Sequence, residues 1–180
     1  MQELVNKGLI LAGHDISAGG LITTLLEMCF ANVEGGMEIN LDKIKEQDLI
    51  KILFAENPGI VIQVSDKHKE AVKQILEDAG VGYVKLGKPT DERHILVSKG
   101  DATYQFGIDY MRDVWYSTSY LLDRKQSMNG CAKKRFENYK MQPVEFAFMP
   151  DFKGKFSQYG INPDRRTPVS YTHLTLPTKL

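Results

Sequence analysis

The stretch Gly13-His14-Asp15-Ile16-Ser17-Ala18-Gly19-Gly20 runs straight into Leu21, Ile22, Leu25, Leu26, Cys29 and Phe30. Those apolar residues recur at the interval that places them on one face of a helix, with Thr23, Thr24 and Glu27 on the other. A short polar loop ending at a helix start constrains this chain more than any other feature. The first N–H groups of a helix have no partner inside it, and the helix dipole adds partial positive charge, so an anion is stabilised there. Gly19 and Gly20 leave room for a phosphate to approach the backbone. Ser17 can cap the helix or donate its hydroxyl to a phosphate oxygen. Asp15 offers the hard carboxylate oxygen that Mg²⁺ takes when it bridges protein and phosphates. The same residues also suit a plain turn, with Ser17 as N-cap, Asp15 as turn residue, His14 as a packed loop histidine and the glycines as turn formers.

The rest of the chain alternates between helical and strand periodicities. Residues 1–12 read as the end of a helix stopped at Lys7-Gly8, then a short apolar strand; a chain that starts inside an element is expected to have lost its beginning. Met37 to Leu41 alternates as a strand, and Lys43 to Phe54 suits one or two short helices. Asn57-Pro58-Gly59 is a turn leading into a buried strand, Ile60 to Val64. Glu56 beside it could contribute a carboxylate to a nearby site, and is read first as a surface residue flanking the turn. From Asp66 the period is helical, with Ala71, Val72, Ile75, Leu76 and Ala79 on one face, His68 on the exposed side and Gly80 as the stop. Strands are predicted at Val81–Leu86, His94–Ser98 and Thr103–Phe106, the last two joined by Lys99-Gly100-Asp101. Asp91 to His94 is read as a solvated turn. Ile108 to Leu122 is a closing helix with Trp115 as a core anchor. This order predicts an α/β fold with a mixed sheet covered by helices.

His14-Asp15-Ile16-Ser17-Ala18-Gly19-Gly20-Leu21, followed by Leu26 to Ala31, resembles the opening of the C-terminal domain in the aminoimidazole ribonucleotide synthetase superfamily of ATP-binding proteins. Within it, the likeness points to the phosphoribosylformylglycinamidine synthase family. Phe54 to Val64 is similar to that family's acidic turn and following strand, and Arg112-Asp113-Val114-Trp115 to part of its closing helix. The resemblance covers residues 1–128 in order. It implies a three-layer α/β/α domain with partial likeness to ferredoxin-like folds. It also implies a parent ligase of purine biosynthesis that uses ATP to activate the formamide oxygen of formylglycinamide ribonucleotide and displaces phosphate with ammonia from glutamine. By position in the family's loop, Asp15 would hold Mg²⁺, and Ser17, Gly19 and Gly20 would bind the phosphates of ATP or ADP. No residue is expected to be catalytic. Ala18 stands where the family commonly has a second acidic residue, which removes one possible ligand. Long forms carry two synthetase units; this chain resembles the second, where the nucleotide is held mainly for structure. The partners implied are an N-terminal synthetase half-site and a glutaminase domain of the same parent chain, and small-molecule nucleotides. The isolated piece is expected to be inactive.

Composition narrows the alternatives. Lys plus Arg and Asp plus Glu number 23 each in 180 residues, giving no electrostatic case for nucleic acid or an anionic membrane. Cys29 and Cys131 lie far apart without paired spacing, so neither a zinc site nor a disulfide framework is indicated and a cytoplasmic setting is expected. Cys131 has no nucleophile elbow or partner histidine near it and is not assigned as a glutaminase nucleophile. No apolar run reaches the length of a membrane span, and no signal peptide is visible. Three segments are expected. They are a synthetase-like domain at 1–128, an extended connector at 129–168 toward a missing glutaminase domain, and a tail at 169–180 that is similar to peptides translated from a sequencing adaptor. Phe146, Phe148, Phe152 and Phe156 in the connector imply a neighbouring surface. Two other readings remain open: a member of the selenophosphate synthetase or thiamine monophosphate kinase type, or a non-catalytic interaction scaffold.

Overall fold

A computed structural model describes residues 1–141 of the chain. They fall within one compact unit, Met1–Gln142. The aromatic stretch from Phe146 to Phe156 and the tail from Val169 lie outside the described residues.

Helix α1 (Gln2–Asn6) precedes strand β1 (Ala12–Ile16), and α2 (Gly20–Phe30) leads to β2 (Gly36–Asn40). Next come α3 (Leu49–Phe54), β3 (Gly59–Gln63), α4 (Lys69–Asp78), β4 (Gly87–Thr90), β5 (His94–Lys99) and β6 (Ala102–Gly107). Two helices, α5 (Ile108–Gln126) and α6 (Cys131–Glu137), follow. The result is the expected mixed α/β architecture, with its strands divided between two sheets. One is an antiparallel pair, β1 with β3; the other has the order β4-β2-β5-β6, with β2 and β5 parallel and the remaining neighbours antiparallel.

Burial explains the arrangement. On β5, Ile95 and Val97 are fully buried while Leu96 and Ser98 are not, as expected when alternate side chains face opposite sides of a sheet. They join Ile39 and Leu41 from the β2 region, Leu21, Ile22, Leu25, Leu26 and Cys29 from α2, Ile52 and Leu53 from α3, and Ile108 from α5 in one core. Asp48 starts α3 by accepting the N–H groups of Ile50 at 2.9 Å and Lys51 at 3.3 Å. The β5–β6 hairpin turns at Gly100, whose N–H donates to Asp42 Oδ1 at 2.8 Å, tying its tip to the loop after β2.

Four expectations are corrected. Val81 to Leu86 is not a strand: Val81 N–H closes α4 on the Leu76 carbonyl at 2.8 Å, and the Tyr83 hydroxyl donates to Glu77 at 2.8 Å. These bonds hold the segment along the helix, and pairing begins only at Gly87. β4 is an edge strand, so Pro89 is tolerated despite lacking an N–H. Arg93 is not solvated; it donates to Asp109 Oδ1 at 3.1 Å and to the carbonyls of Cys29 at 3.1 Å and Gly35 at 3.3 Å. Trp115 is not a core anchor: half of it remains exposed, and its ring tilts against Phe30 with centroids 5.2 Å apart. His68 is partly buried, and its Nδ1 is enclosed without a hydrogen-bond partner among the described residues.

The inner face of α5 is polar where it meets α6. Arg112 is buried, with its guanidinium 3.7 Å from the Tyr139 ring centroid and 4.7 Å from that of Tyr116, and it donates to the Phe136 carbonyl at 3.0 Å. Cation–π stacking and a charged hydrogen bond thus hold residues 131–141 on α5. Asp109 gathers Arg93, Tyr139 and Lys140. Burial pushes its carboxyl up, but the donors from Lys140, Arg93 and Tyr139 outweigh burial and hold it below the usual range.

Candidate nucleotide site

Strand pairing reaches further into the polar stretch than its composition predicts. Gly13, His14, Asp15 and Ile16 all lie on β1, with Asp15 opposite Ile60 of β3. The loop is therefore only Ser17 to Gly19. A pleat side chain such as Asp15 points out of the ladder, and this one is largely exposed, at 72%. The ladder fixes the backbone that carries the carboxylate. Among the described residues no group of three or more His, Cys, Asp or Glu side chains is placed to hold a metal. The protein therefore offers at this point one exposed carboxylate and no preassembled ligand set; a lone carboxylate is compatible with a Mg²⁺ ion only when phosphates and water supply the rest of its shell.

The glycines are explained by α2 and its neighbours. Gly19 has φ +84° and Gly20 φ +72°, the left-handed region that favours residues without Cβ. A Cβ on Gly20 would lie 2.7 Å from the Leu53 carbonyl oxygen and the Phe54 backbone, and one on Gly19 would lie 2.3 Å from Thr23 Oγ1. Gly20 therefore lets the start of α2 touch the end of α3. The Gly20 N–H donates to the Ser17 carbonyl at 3.0 Å, and the Ser17 side chain makes no cap bond to α2. Its hydroxyl is exposed at the helix start.

The Gly19 N–H donates to Glu56 Oε1 at 2.9 Å. A carboxylate from the turn before β3 thus sits where the helix end favours an anion. By sequence, Glu56 reads as a surface residue that could offer its carboxylate to a nearby site, and neither Thr24 nor Glu27 is singled out. Glu56 caps the helix from a distance. Thr24 is buried, and its hydroxyl donates to the Asp15 carbonyl at 3.0 Å, stitching β1 to α2. Glu27 accepts from Trp115 Nε1 at 2.8 Å through one oxygen, and its other oxygen lies 3.3 Å from His14 Nε2. His14 Nδ1 is 2.8 Å from the Asp15 carbonyl; that oxygen can only accept, so Nδ1 carries a proton. The partial signals were the β1 alternation, which puts His14 opposite in facing to Asp15, and the acidic residue before Asn57-Pro58-Gly59.

Beside this corner lies an open groove of about 690 Å³, lined by Ile16, Leu21, Ile44, Ile50, Phe54 and Asn57 among others. Ile50 and Phe54 are largely exposed there. At the far end of α2, burial pushes the Cys29 thiol above its usual range, with a smaller opposing effect from Arg93, the reverse of an activated nucleophile.

The family model described as AIR synthase related protein, C-terminal domain, matches residues 1–99, which include β1, the loop and α2. The chain belongs to that family. Its curated relatives include the probable chloroplastic/mitochondrial phosphoribosylformylglycinamidine synthase of Arabidopsis thaliana, 34% identical over 158 residues, covering 87% of this chain and 11% of that protein. The Homo sapiens phosphoribosylformylglycinamidine synthase is 34% identical over 134 residues, 72% of this chain and 10% of its own length. The chain spans about a tenth of the curated relatives it matches. Among solved structures, Thermotoga maritima PurL complexed with ATP superposes with a TM-score of 0.53 at 17% identity, over 59% of this chain and 19% of that one. PurL complexed with FGAR gives 0.52 at 20% identity, over 61% and 19%. These superpositions show a shared fold. No helix among the described residues is long and apolar enough to cross a membrane.

Proposed function

We propose that the chain is the part of a phosphoribosylformylglycinamidine synthase that holds nucleotide phosphates at the start of α2. The single observation that carries the reading is the Glu56 carboxylate on the Gly19 N–H: the protein itself places an anion at this helix end. A nucleotide phosphate would take that position, the Glu56 side chain swinging away, while the exposed Ser17 hydroxyl donates to a second phosphate oxygen. Asp15 would hold Mg²⁺ from the end of β1, where the ion's charge would neutralise that of the phosphates. Gly19 supplies the N–H and Gly20 the close packing that fixes it.

The parent activity proposed is the ATP-dependent joining of glutamine-derived nitrogen to formylglycinamide ribonucleotide. In that enzyme this domain would bind and orient nucleotide rather than carry a catalytic residue. The exposed groove at Ile50 and Phe54 suits contact with the N-terminal synthetase half-site of the same parent chain; a glutaminase domain would complete it. Two free cysteines, one of them buried, are in keeping with a reducing, cytoplasmic setting.

Titration calorimetry of the chain with ADP, with and without Mg²⁺, tests the reading. Saturable binding that requires Mg²⁺ is expected. Absence of binding, or affinity indifferent to Mg²⁺, would count against it.

A further inference from the structure

Four lysines line a second, open surface concavity of about 570 Å³ that shares no residue with the α2 loop, with Lys43, Tyr83, Val84 and Lys85 all exposed. Lys43 comes from the loop after β2, Lys69 and Lys73 from successive turns of α4, and Lys85 from the segment before β4; Tyr83 and Val84 complete the lining. Among the described residues only Lys73 has a carboxylate partner, Glu70 at 2.8 Å. The chain is balanced at 23 basic and 23 acidic residues, so basic composition does not account for the cluster.

Like charges one turn apart on a helix are destabilising, and here two further ammonium groups are brought in by separate segments. An anion among them would reverse the sign of that contribution. The Tyr83 hydroxyl is held by Glu77 at 2.8 Å, which pins the ring at the wall beside Val84. The lysines and the half-exposed Tyr83 and Val84 side chains beside them suit a ligand with both charged and apolar parts.

We propose that this concavity binds a small, multiply charged, phosphate-bearing anion, with the lysines meeting its phosphates and Tyr83 and Val84 packing on the remainder. Lysine ammonium groups are mobile point charges with three donors each, suited to a phosphate cluster without fixed geometry.

The test is titration calorimetry of the full 180-residue chain with inorganic pyrophosphate, at ionic strength held constant with sodium chloride and without Mg²⁺. Saturable binding is expected in the wild type. It should weaken by at least about tenfold in the double variant Lys69→Gln/Lys85→Gln, the loss expected for a charged hydrogen bond. Lys88→Gln, on β4 and paired with Glu38, changes the charge outside the concavity and should bind as wild type does; thermal unfolding confirms that each variant is folded. No saturable binding overturns the proposal, as does equal affinity in the double variant. A loss of equal size in Lys88→Gln would make the attraction one of general charge and overturn it too.

Discussion

Glu56 Oε1 accepts the Gly19 N–H at 2.9 Å, joining residues 37 apart in sequence. A phosphate and this carboxylate cannot both occupy that donor. Glu56→Gln keeps the size but removes the charge, so it should weaken the cap while easing access for a phosphate. The expected outcome is a stability loss of about 0.5–1 kcal/mol in urea unfolding, together with several-fold tighter ADP binding in the presence of Mg²⁺. Weaker ADP binding would show that Glu56 assists the nucleotide instead of competing with it.

Gly20 is where α2 presses on α3. In Gly20→Ala the new methyl meets the Leu53 carbonyl oxygen at 2.7 Å, and the residue must also hold a φ of +72°. Strain and overpacking together should cost about 2 kcal/mol or more. Chemical denaturation measures it, and a loss below about 0.5 kcal/mol would mean that the two helices do not touch as described.

Arg112 carries the junction of α5 and α6. Arg112→Met preserves much of its length but leaves the Phe136 carbonyl without its 3.0 Å donor and removes the cation from the Tyr139 ring. A loss of about 2–4 kcal/mol is expected. Hydrogen exchange should quicken across Cys131–Glu137 and leave the core strand β5 protected.

Asp109 makes part of the stability acid-sensitive. Its folded-state pKa lies below the ordinary carboxylate value because its hydrogen bonds outweigh the effect of burial. The unfolded chain therefore takes up the proton first as pH falls. The stabilisation is present above about pH 4 and is lost as the pH drops through the folded-state value. Asp109 is more than a third exposed, so solvent screening keeps the effect modest. Asp109→Asn should lower Tm at neutral pH and flatten its decline between about pH 5 and 2.5; an unchanged slope would remove the Asp109 cluster from the acid response.

Much of the fold was legible because periodicity reports burial directly. The α2 stripe from Leu21 to Phe30 and the alternation of Ile95 and Val97 both lie in the core, and the Gly100 turn joins β5 to β6 as its residue type requires. Errors arose where tertiary contacts overrode local pattern. Val81 to Leu86 has strand composition, yet the Tyr83–Glu77 bond keeps it on α4. Arg93 looks like a turn residue until Cys29, Gly35 and Asp109, all distant in sequence, close around it. At the candidate site, Asp15, Ser17, Gly19 and Gly20 were legible as one run. Glu56 was legible as a carboxylate near the site but not as the cap on Gly19, and Thr24 was not legible, because a buried hydroxyl and a cap from another element leave no periodic trace.

The central claim is that the carboxylate at the end of β1 carries Mg²⁺-dependent nucleotide binding. Asp15 is exposed and its side chain makes no hydrogen bond that the fold needs, so Asp15→Asn should leave the unfolding curve without ligand unchanged. The direct measurement is the ADP dissociation constant of wild type and Asp15→Asn, each with and without Mg²⁺, with thermal shift as a second readout of ligand linkage. The account predicts Mg²⁺-enhanced affinity in the wild type and none of that enhancement in Asp15→Asn; an equal Mg²⁺ enhancement in both proteins would contradict it.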